Sequence, residues 1–538
     1  MNKFLPLLQI IFLLSSVAFG QMVFTFPEEA DTYFLFNLGR YILEQGFPHI
    51  DPFTIHENLQ LVAQQWLSGI LFWEAYKNFG VNGLLIVDAI IGAAIILIYW
   101  RLCLFVSGGN KILSFVISLV VGFLIMFMIV PRPQILSALL LLIEVFFLEK
   151  FTRTEDAKFL IPLPLVSLAL INFHAAMWLM SLVVCLPFLF VKNFRHIKFL
   201  LAAMGGIFLF GLINPYGVEA MTYVFRSYGI DLISSNIPEM FTPTAHSFQG
   251  KFFYLAEAFL IFSLARGKVS WRYIFLCGGI TFLAIMHSRS LILFYVLATF
   301  PLAYVWRELS VEKIKSNRML MTAIFFILVA ANTTMITAFL NESLNTASLP
   351  IKILFFAATL FALYNLLILK VEGSLINTTI LPRKILSLFV SLFIVTGSFL
   401  FTLAGIQSKP PQTYGDTIKF LLRTERPENI SLYVHQGIGG LAGYFGIKYY
   451  IDSRSEVFLA ANNGQKNIFE EYVNLKSGKI NYKDFFNRYN FTHIILTSEE
   501  GFIFDELSND KNFRVIYESE RVEGSNVIRC KVFIPKKD

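Results

Sequence analysis

Charged side chains are scarce in this sequence. Only 15% of its 538 residues are Asp, Glu, Lys or Arg, whereas about a quarter is usual in a soluble protein. Hydrophobic residues make up 56% and are gathered in long runs separated by short polar segments. A helix in a soluble fold needs a polar face, and these runs have none. The scarcity of charge therefore excludes a soluble globular protein and indicates helices surrounded by lipid.

Cysteine is also scarce, with four residues in the chain. No pair has the spacing of metal ligands, and Cys530 stands alone in the C-terminal tail, so neither a structural metal site nor a disulfide within the tail is predicted. The net charge of +7 does not indicate nucleic acid, because the basic residues fall in short loops between apolar runs.

The apolar runs predict an all-α polytopic membrane domain with about 13 transmembrane helices, of which the shorter ones must be tilted or bent. The first run begins close to the N-terminus and is interpreted as an uncleaved helix, since its small-residue ending matches a signal-peptide cleavage site weakly. The predicted spans are residues 4–23, 82–101, 112–130, 134–149, 159–173, 176–191, 198–214, 252–265, 272–286, 290–305, 319–340, 350–369 and 385–406.

The positions of Lys and Arg predict the orientation. They are concentrated in the connecting segments on the N-terminal side of the membrane, so the N-terminus is expected in the cytoplasm. An odd number of spans then puts the tail, residues 407–538, on the outer side of the plasma membrane. The tail contains four short β-like runs, at residues 430–436, 448–452, 492–498 and 514–519, and a helical stretch at residues 468–478. It therefore predicts a small α/β domain, separate from the transmembrane domain of residues 1–406.

Two outer loops, residues 24–81 and 215–251, are longer than connection requires, which favours a functional role. The first contains two amphipathic stretches, at residues 32–45 and 61–79, typical of helices that lie flat at the membrane interface. Asp31 follows the first span directly, at the outer lipid surface. A carboxylate there is suited to act as a general base on a lipid-linked substrate, although it could equally cap the helix that follows.

Several ordered motifs resemble those of membrane proteins with the C-type glycosyltransferase (GT-C) fold. This is the fold of protein O-mannosyltransferases and of the lipid A aminoarabinose transferase. The resemblance lies in a D-T-Y-x-x-x-N-L-G-R-Y-I-L-E-x-G-x-P-x-x-D-P-F-T segment at residues 31–54, a Q-Q-W-L at 64–67, an R-P-Q at 132–134, an N-x-H at 172–174, an N-P-Y-G at 214–217, an H-S-R at 287–289 and a D-x-R at 452–454.

The resemblance implies that Asp31 is the catalytic base. Polar residues from distant parts of the chain are expected at outer span ends, where they could bind substrate or could simply anchor the helices at the interface. The predicted substrate-binding residues are Arg132, Asn172, His174, Asn214, Tyr216, His287 and Arg289.

The leading hypothesis is a membrane glycosyltransferase that moves a sugar from a polyprenyl-phosphate donor to an unknown acceptor at the outer face of the membrane. A transporter or flippase is an alternative, because Asp88 and Glu257 lie inside predicted spans. A non-catalytic scaffold with an exported tail is another. A divalent metal is possible but is not indicated by any ligand spacing.

Overall fold

The computed structural model describes residues 30–190, 193–227, 231–309, 412–523 and 526–536, together with isolated positions between residues 7 and 17. The predicted spans 319–340, 350–369 and 385–406, most of span 4–23 and the predicted boundary at residue 407 lie outside these ranges. Within the described residues the chain is mostly helical, with one small sheet near its C-terminal end.

The first part of the chain is helical. Its helices are α1 (Ala30–Gln45), α2 (Trp66–Phe79), α3 (Val81–Val106), α4 (Lys111–Ile125), α5 (Pro133–Thr154), α6 (Pro162–Phe173), α7 (Leu179–Cys185), α8 (Phe194–Gly211), α9 (Val218–Ser227), α10 (Asp231–Ser234), α11 (Phe248–Arg266), α12 (Trp271–Met286) and α13 (Ser288–Val305), the last containing a π-helical turn.

Among the described residues, four helices are long and apolar enough to cross a membrane: α3, α8, α13 and the segment Lys111–Met128 that contains α4. Three shorter apolar helical segments accompany them, spanning Ala157–Phe173, Ala175–Leu189 and Trp271–Met286. These helices share one apolar cluster, in which residues such as Ile95, Leu141 and Phe294 are completely buried. The chain is therefore a membrane protein.

Two acidic residues of α5 lie inside this bundle and are fully buried. Glu144 accepts a hydrogen bond from Ser181 Oγ at 2.7 Å. Glu149 forms an ion pair with Arg272, with Nε and Oε1 3.2 Å apart. A buried charge is tolerated when it is paired, as in Glu149, and a buried polar group when it is hydrogen-bonded, as in Glu144, so these contacts give both acids a role in helix packing.

Helices α1 and α2 of the first outer loop cross at very close range. A Cβ atom added to Gly39 would lie 2.2 Å from the carbonyl oxygen of Gly69, far inside van der Waals contact. Glycine at this crossing lets the two backbones touch, as small residues do in membrane helix pairs. The contact fixes α1, and with it Asp31 in its first turn.

The last part of the chain forms an α/β unit. Strands β1 (Ser431–Tyr433), β2 (Lys448–Tyr449), β3 (His493–Thr497), β4 (Phe513–Glu523) and β5 (Asn526–Pro535) pair in the order β2-β1-β3-β5-β4, parallel on the β1 side and antiparallel on the β5 side. The helices around this sheet are α14 (Gln412–Thr424), α15 (Gln436–Tyr444), α16 (Ala460–Asn463), α17 (Ile468–Lys476), α18 (Tyr482–Tyr489) and α19 (Phe502–Asn509). The four strands and the helix predicted for the tail are present, whereas β5 was not predicted.

The α/β unit packs directly on the first outer loop. Its glycine-rich helix α15 lies on α1, where Asn37 Nδ2 donates to the carbonyl oxygen of Gly440 at 2.8 Å and Arg40 donates to that of Tyr444 at 3.2 Å. The glycines allow this approach, since a Cβ atom on Gly443 would lie 2.8 Å from Asn37 Nδ2. The glycine-rich segment is thus a packing helix.

Candidate active-site cavity

One cavity brings distant parts of the chain together. Its walls come from the first outer loop, the start of α5, Ala176 after α6, the second outer loop, the start of α13 and the α/β unit, and its volume is about 110 Å³. The polar lining residues are Asp31, Gln64, Gln65, Gln134, Tyr223, Glu239, Arg289, Ser453, Arg454 and Glu456. Polar side chains at the junction of several segments are typical of a binding site.

Asp31 lies at this cavity beside Arg132. Its carboxylate Oδ2 is 3.4 Å from Arg132 Nε, and its side chain is one-third exposed. Arg132 precedes Pro133, the first residue of α5, and its Nη1 also forms an ion pair with Glu239 Oε1 from the second outer loop. The guanidinium of Arg132 therefore joins an acid from each outer loop at the start of helix α5.

Arg289 lines the cavity next to the turn Pro238–Met240. Its Nη1 is 3.6 Å from Met240 Sδ. The neighbouring residues hold the same turn, because Ser288 Oγ donates to the Glu239 carbonyl oxygen at 3.0 Å and His287 Nδ1 is 3.1 Å from that of Met240. His287 thus positions the second outer loop beside Arg289.

His174 lies behind the cavity and is completely buried between α6 and α7. Its Nδ1 is 2.7 Å from Ser137 Oγ on α5. The backbone nearby is also tied to the first outer loop, since Ala175 N–H donates to the Gln64 carbonyl oxygen at 2.9 Å. His174 is placed to support the cavity wall, whereas Asp31 and Arg289 face the cavity itself.

The other three predicted binding residues lie away from the cavity and hold local structure. Asn172 lines a separate cleft, where it accepts a hydrogen bond from Trp66 Nε1 at 3.0 Å. Asn214 closes its own turn, because its side chain accepts from Tyr216 N–H at 2.9 Å and donates to the Gly211 carbonyl oxygen. The Tyr216 hydroxyl donates to the Pro48 carbonyl oxygen at 2.9 Å.

The cavity residues that were not singled out from the sequence include three that contact or surround the predicted ones: Glu456, Gln64 and Glu239. Glu456 lies two residues beyond the D-x-R motif, and Gln64 begins the Q-Q-W-L motif, so both belong to segments that already carried the resemblance. Glu239 lies in the second outer loop, which was predicted only as a possible functional segment. Their proximity to Asp31 depends on how the outer loops and the α/β unit pack, which the pattern of spans does not reveal.

The two motifs D-P-F-T and D-x-R meet beside the cavity. Arg454 Nη1 is 2.6 Å from Asp51 Oδ1, and its Nη2 is 2.6 Å from Asp452 Oδ2. Its guanidinium also stacks on the Phe34 ring, with 4.6 Å between its central carbon and the ring centroid. The neighbouring carboxylates hold the pKa of Arg454 well above its usual value, against the opposing effect of burial. This charged cluster joins the α/β unit to the first outer loop.

The comparisons with known proteins rest on structure, since no family model and no curated protein matches this sequence. The transferase ArnT from Cupriavidus metallidurans, solved bound to undecaprenyl phosphate, superposes with a TM-score of 0.53 over 98% of both chains at 12% identity. The archaeal oligosaccharyltransferase AglB from Archaeoglobus fulgidus, in complex with an inhibitory peptide and a dolichol-phosphate, gives 0.51 over 92% of this chain and 69% of its own, also at 12% identity. The chain has the C-type glycosyltransferase fold. At this identity the likeness concerns the fold alone, which is the fold that the sequence motifs predicted.

A metal site is not evident in the part of this C-type fold that the structure describes. No group of three or more His, Cys, Asp or Glu side chains has the arrangement of a metal site among those residues. Asp31 and Glu239 both contact the guanidinium of Arg132. These two acids are therefore paired with a guanidinium, and in this arrangement the described residues do not fit a divalent cation.

Proposed function

We propose that this protein is a membrane glycosyltransferase that moves a sugar from a polyprenyl-phosphate carrier to an acceptor hydroxyl at the outer face of the plasma membrane. The observation that carries the proposal is the cavity that Asp31 and Arg289 both line, with Arg132 forming an ion pair with Asp31. A base and two guanidinium groups are the parts that such a transfer needs. The lipid phosphates bound by the two structural relatives support this choice of donor.

In the proposed reaction Asp31 accepts the proton of the acceptor hydroxyl. The acceptor oxygen forms a bond to the anomeric carbon of the sugar as the bond from that carbon to the phosphate oxygen breaks. The bonding electrons leave with the phosphate, whose added negative charge is stabilised by Arg289 and Arg132. Guanidinium groups suit this role because they are permanently charged and can donate two parallel hydrogen bonds to a phosphate.

The proposed orientation has the N-terminus in the cytoplasm and the α/β unit outside. It follows from the distribution of Lys and Arg in the sequence. It also puts the cavity at the membrane surface, where the phosphate of a lipid carrier lies. The acceptor is not specified by the cavity. Asp31 and Arg132 remain partly accessible, with 33% and 19% of their side chains exposed, so an acceptor has a route to the base.

The test is transfer by the purified protein in lipid nanodiscs. Undecaprenyl phosphate carrying glucose, mannose, an aminopentose or N-acetylglucosamine would be supplied with membrane extract as the acceptor source, and release of the bare carrier would be measured. General-base catalysis contributes about 10²–10⁴-fold. We expect Asp31→Asn to lower the release rate by a factor in that range, because the amide cannot accept the proton.

The matched control is Asp231→Asn, which changes an exposed acid of the second outer loop that does not line the cavity. It should transfer like the wild type. A wild-type rate in Asp31→Asn would remove Asp31 as the base. Absence of carrier release from every donor would contradict transfer from a polyprenyl phosphate.

A further inference from the structure

The α/β unit contributes a carboxylate to the cavity. Glu456 lies in the wall formed by Ser453, Arg454 and Val457, and its side chain is accessible from the cavity, although protein encloses it on its other sides. Its Oε1 accepts a hydrogen bond from Gln64 Nε2 at 2.9 Å. A carboxylate has about four lone-pair positions, and this bond uses one of them.

The surroundings of Glu456 act on its protonation in opposite directions, with a net increase of its pKa. Burial raises the pKa of this carboxyl group, and so does the negative charge of Asp31, whereas Arg289 and Arg454 lower it. The bond from Gln64 holds the Glu456 side chain, and both Gln64 and the nearby Arg454 are themselves fixed. Gln64 is anchored to the membrane bundle through its backbone, and Arg454 is fixed by its ion pairs with Asp51 and Asp452.

Two side chains that line the cavity carry a further acceptor with no donor among the described residues. Gln64 Oε1 and Gln134 Oε1 are buried, and neither has a hydrogen-bond partner among the described residues. The orientation of the Gln64 amide follows from its bond to Glu456, which requires the Nε2 group on that side. Buried polar atoms without a partner are costly, so a site that retains them usually has a ligand that satisfies them.

We propose that Glu456, Gln64 and Gln134 form a subsite that binds the hydroxyl groups of the transferred sugar. A sugar ring presents several O–H donors, which suits a group of acceptors. The subsite shares its cavity with Arg289, to which the proposed function assigns the carrier phosphate. The inference rests on that proposed function for the identity of the ligand. It makes the α/β unit part of the substrate site.

The decisive variant is Gln134→Leu, because a structural role and a binding role predict opposite results. Replacing an amide whose buried oxygen lacks a partner by an apolar group of similar size should leave the thermal unfolding midpoint unchanged or raise it. Loss of a sugar hydrogen bond should at the same time weaken binding of the sugar-bearing carrier by about 10-fold. The affinity for bare undecaprenyl phosphate should stay the same.

The measurement is equilibrium binding of undecaprenyl phosphate, bare or carrying glucose, mannose or N-acetylglucosamine, to the full chain in nanodiscs. Glu456→Gln should also weaken the sugar-bearing carrier selectively, by about 10-fold, because a neutral acceptor replaces a charged one. Glu470→Gln is the control, since Glu470 is an exposed acid of the same α/β unit outside the cavity. It should bind both carriers like the wild type.

Three results would overturn the subsite. The wild type could bind bare and sugar-bearing carriers equally, the variants could weaken both carriers to the same extent, or Gln134→Leu could lower stability without changing affinity. The binding comparison does not depend on turnover. A protein that prefers the sugar-bearing carrier through these residues and yet transfers no sugar would support the subsite and contradict the proposed function.

Discussion

The ion cluster around Arg454 allows a quantitative prediction for the variant Arg454→Met. The arginine side chain is 5% exposed and that of Asp51 is fully buried, with 2.6 Å between Nη1 and Oδ1. Removing the guanidinium leaves Asp51 and Asp452 buried without their common cation. Removal of one partner from a buried ion pair costs about 3–5 kcal/mol. The stacking of the guanidinium on Phe34 is lost as well, but the methionine side chain retains part of that contact.

The loss of stability should appear where the α/β unit meets the first outer loop. Amide hydrogen exchange of helix α15, whose residues bond to α1, reports opening of this junction directly. We expect its protection in Arg454→Met to fall by an amount equivalent to the 3–5 kcal/mol given above. Asp51→Asn should cost less, because Asp452 still pairs with the arginine. The double variant should show a coupling energy of about 0.5–3 kcal/mol.

Arg529→Met provides the matched control. Arg529 pairs with Glu520 on the neighbouring strand, and the two side chains are 57% and 56% exposed. An exposed ion pair contributes little to stability, so the protection of α15 from hydrogen exchange should be unchanged in this variant. The reasoning would be refuted if Arg454→Met kept wild-type protection in α15, or if both arginine variants lost the same amount.

Three further predictions concern packing, pH and orientation. Gly39→Ala should lower the unfolding midpoint in detergent, because the new Cβ would clash with the Gly69 carbonyl oxygen. Gly205→Ala should leave the midpoint unchanged, since the space around its Cβ is open. A wild-type midpoint in Gly39→Ala would contradict the close helix crossing. Burial lowers the pKa of His56 to about 4, whereas in the unfolded chain it has the ordinary value of 6.5, so the stability of the fold decreases as the pH falls from 6.5 to 4. The unfolding midpoint of His56→Gln should depend less on pH in that window, and a pH profile identical to that of the wild type would count against this effect. A periplasmic-type reporter fused after Asp538 should be active, and activity of a cytoplasmic reporter there would reverse the proposed orientation.

The sequence predicted most about Asp31, Arg132 and Arg289 because they occupy ends of apolar runs that the span pattern assigns to one side of the membrane. Residues at one end of membrane helices share a level in the membrane, so polar groups from distant segments can be expected near one another without knowing the packing. Periodicity also predicted α1, which begins at Ala30 and ends at Gln45, and strands β1 to β4. The fold could be recognised from the order of the short motifs.

The remaining features depend on contacts that linear patterns do not encode. Asn214 and Tyr216 resemble binding residues in sequence, yet their side chains are used by the turn they form and by the Pro48 carbonyl oxygen. Glu456 could not be assigned to the cavity, because its place depends on how the α/β unit docks. The strand β5 was missed because its alternation in N-V-I-R-C-K-V-F-I-P was not recognised, although it pairs with both β3 and β4.

The joining of Asp51 to Arg454 has a consequence for exchanging parts between related proteins. Each residue is the counter-charge of the other, and 403 positions of sequence separate them. A chimera that takes its α/β unit from one protein and its first outer loop from another inherits a working junction only if both parents carry this pair. The segments that contain residues 51 and 454 must therefore be exchanged together, although they are far apart in the sequence.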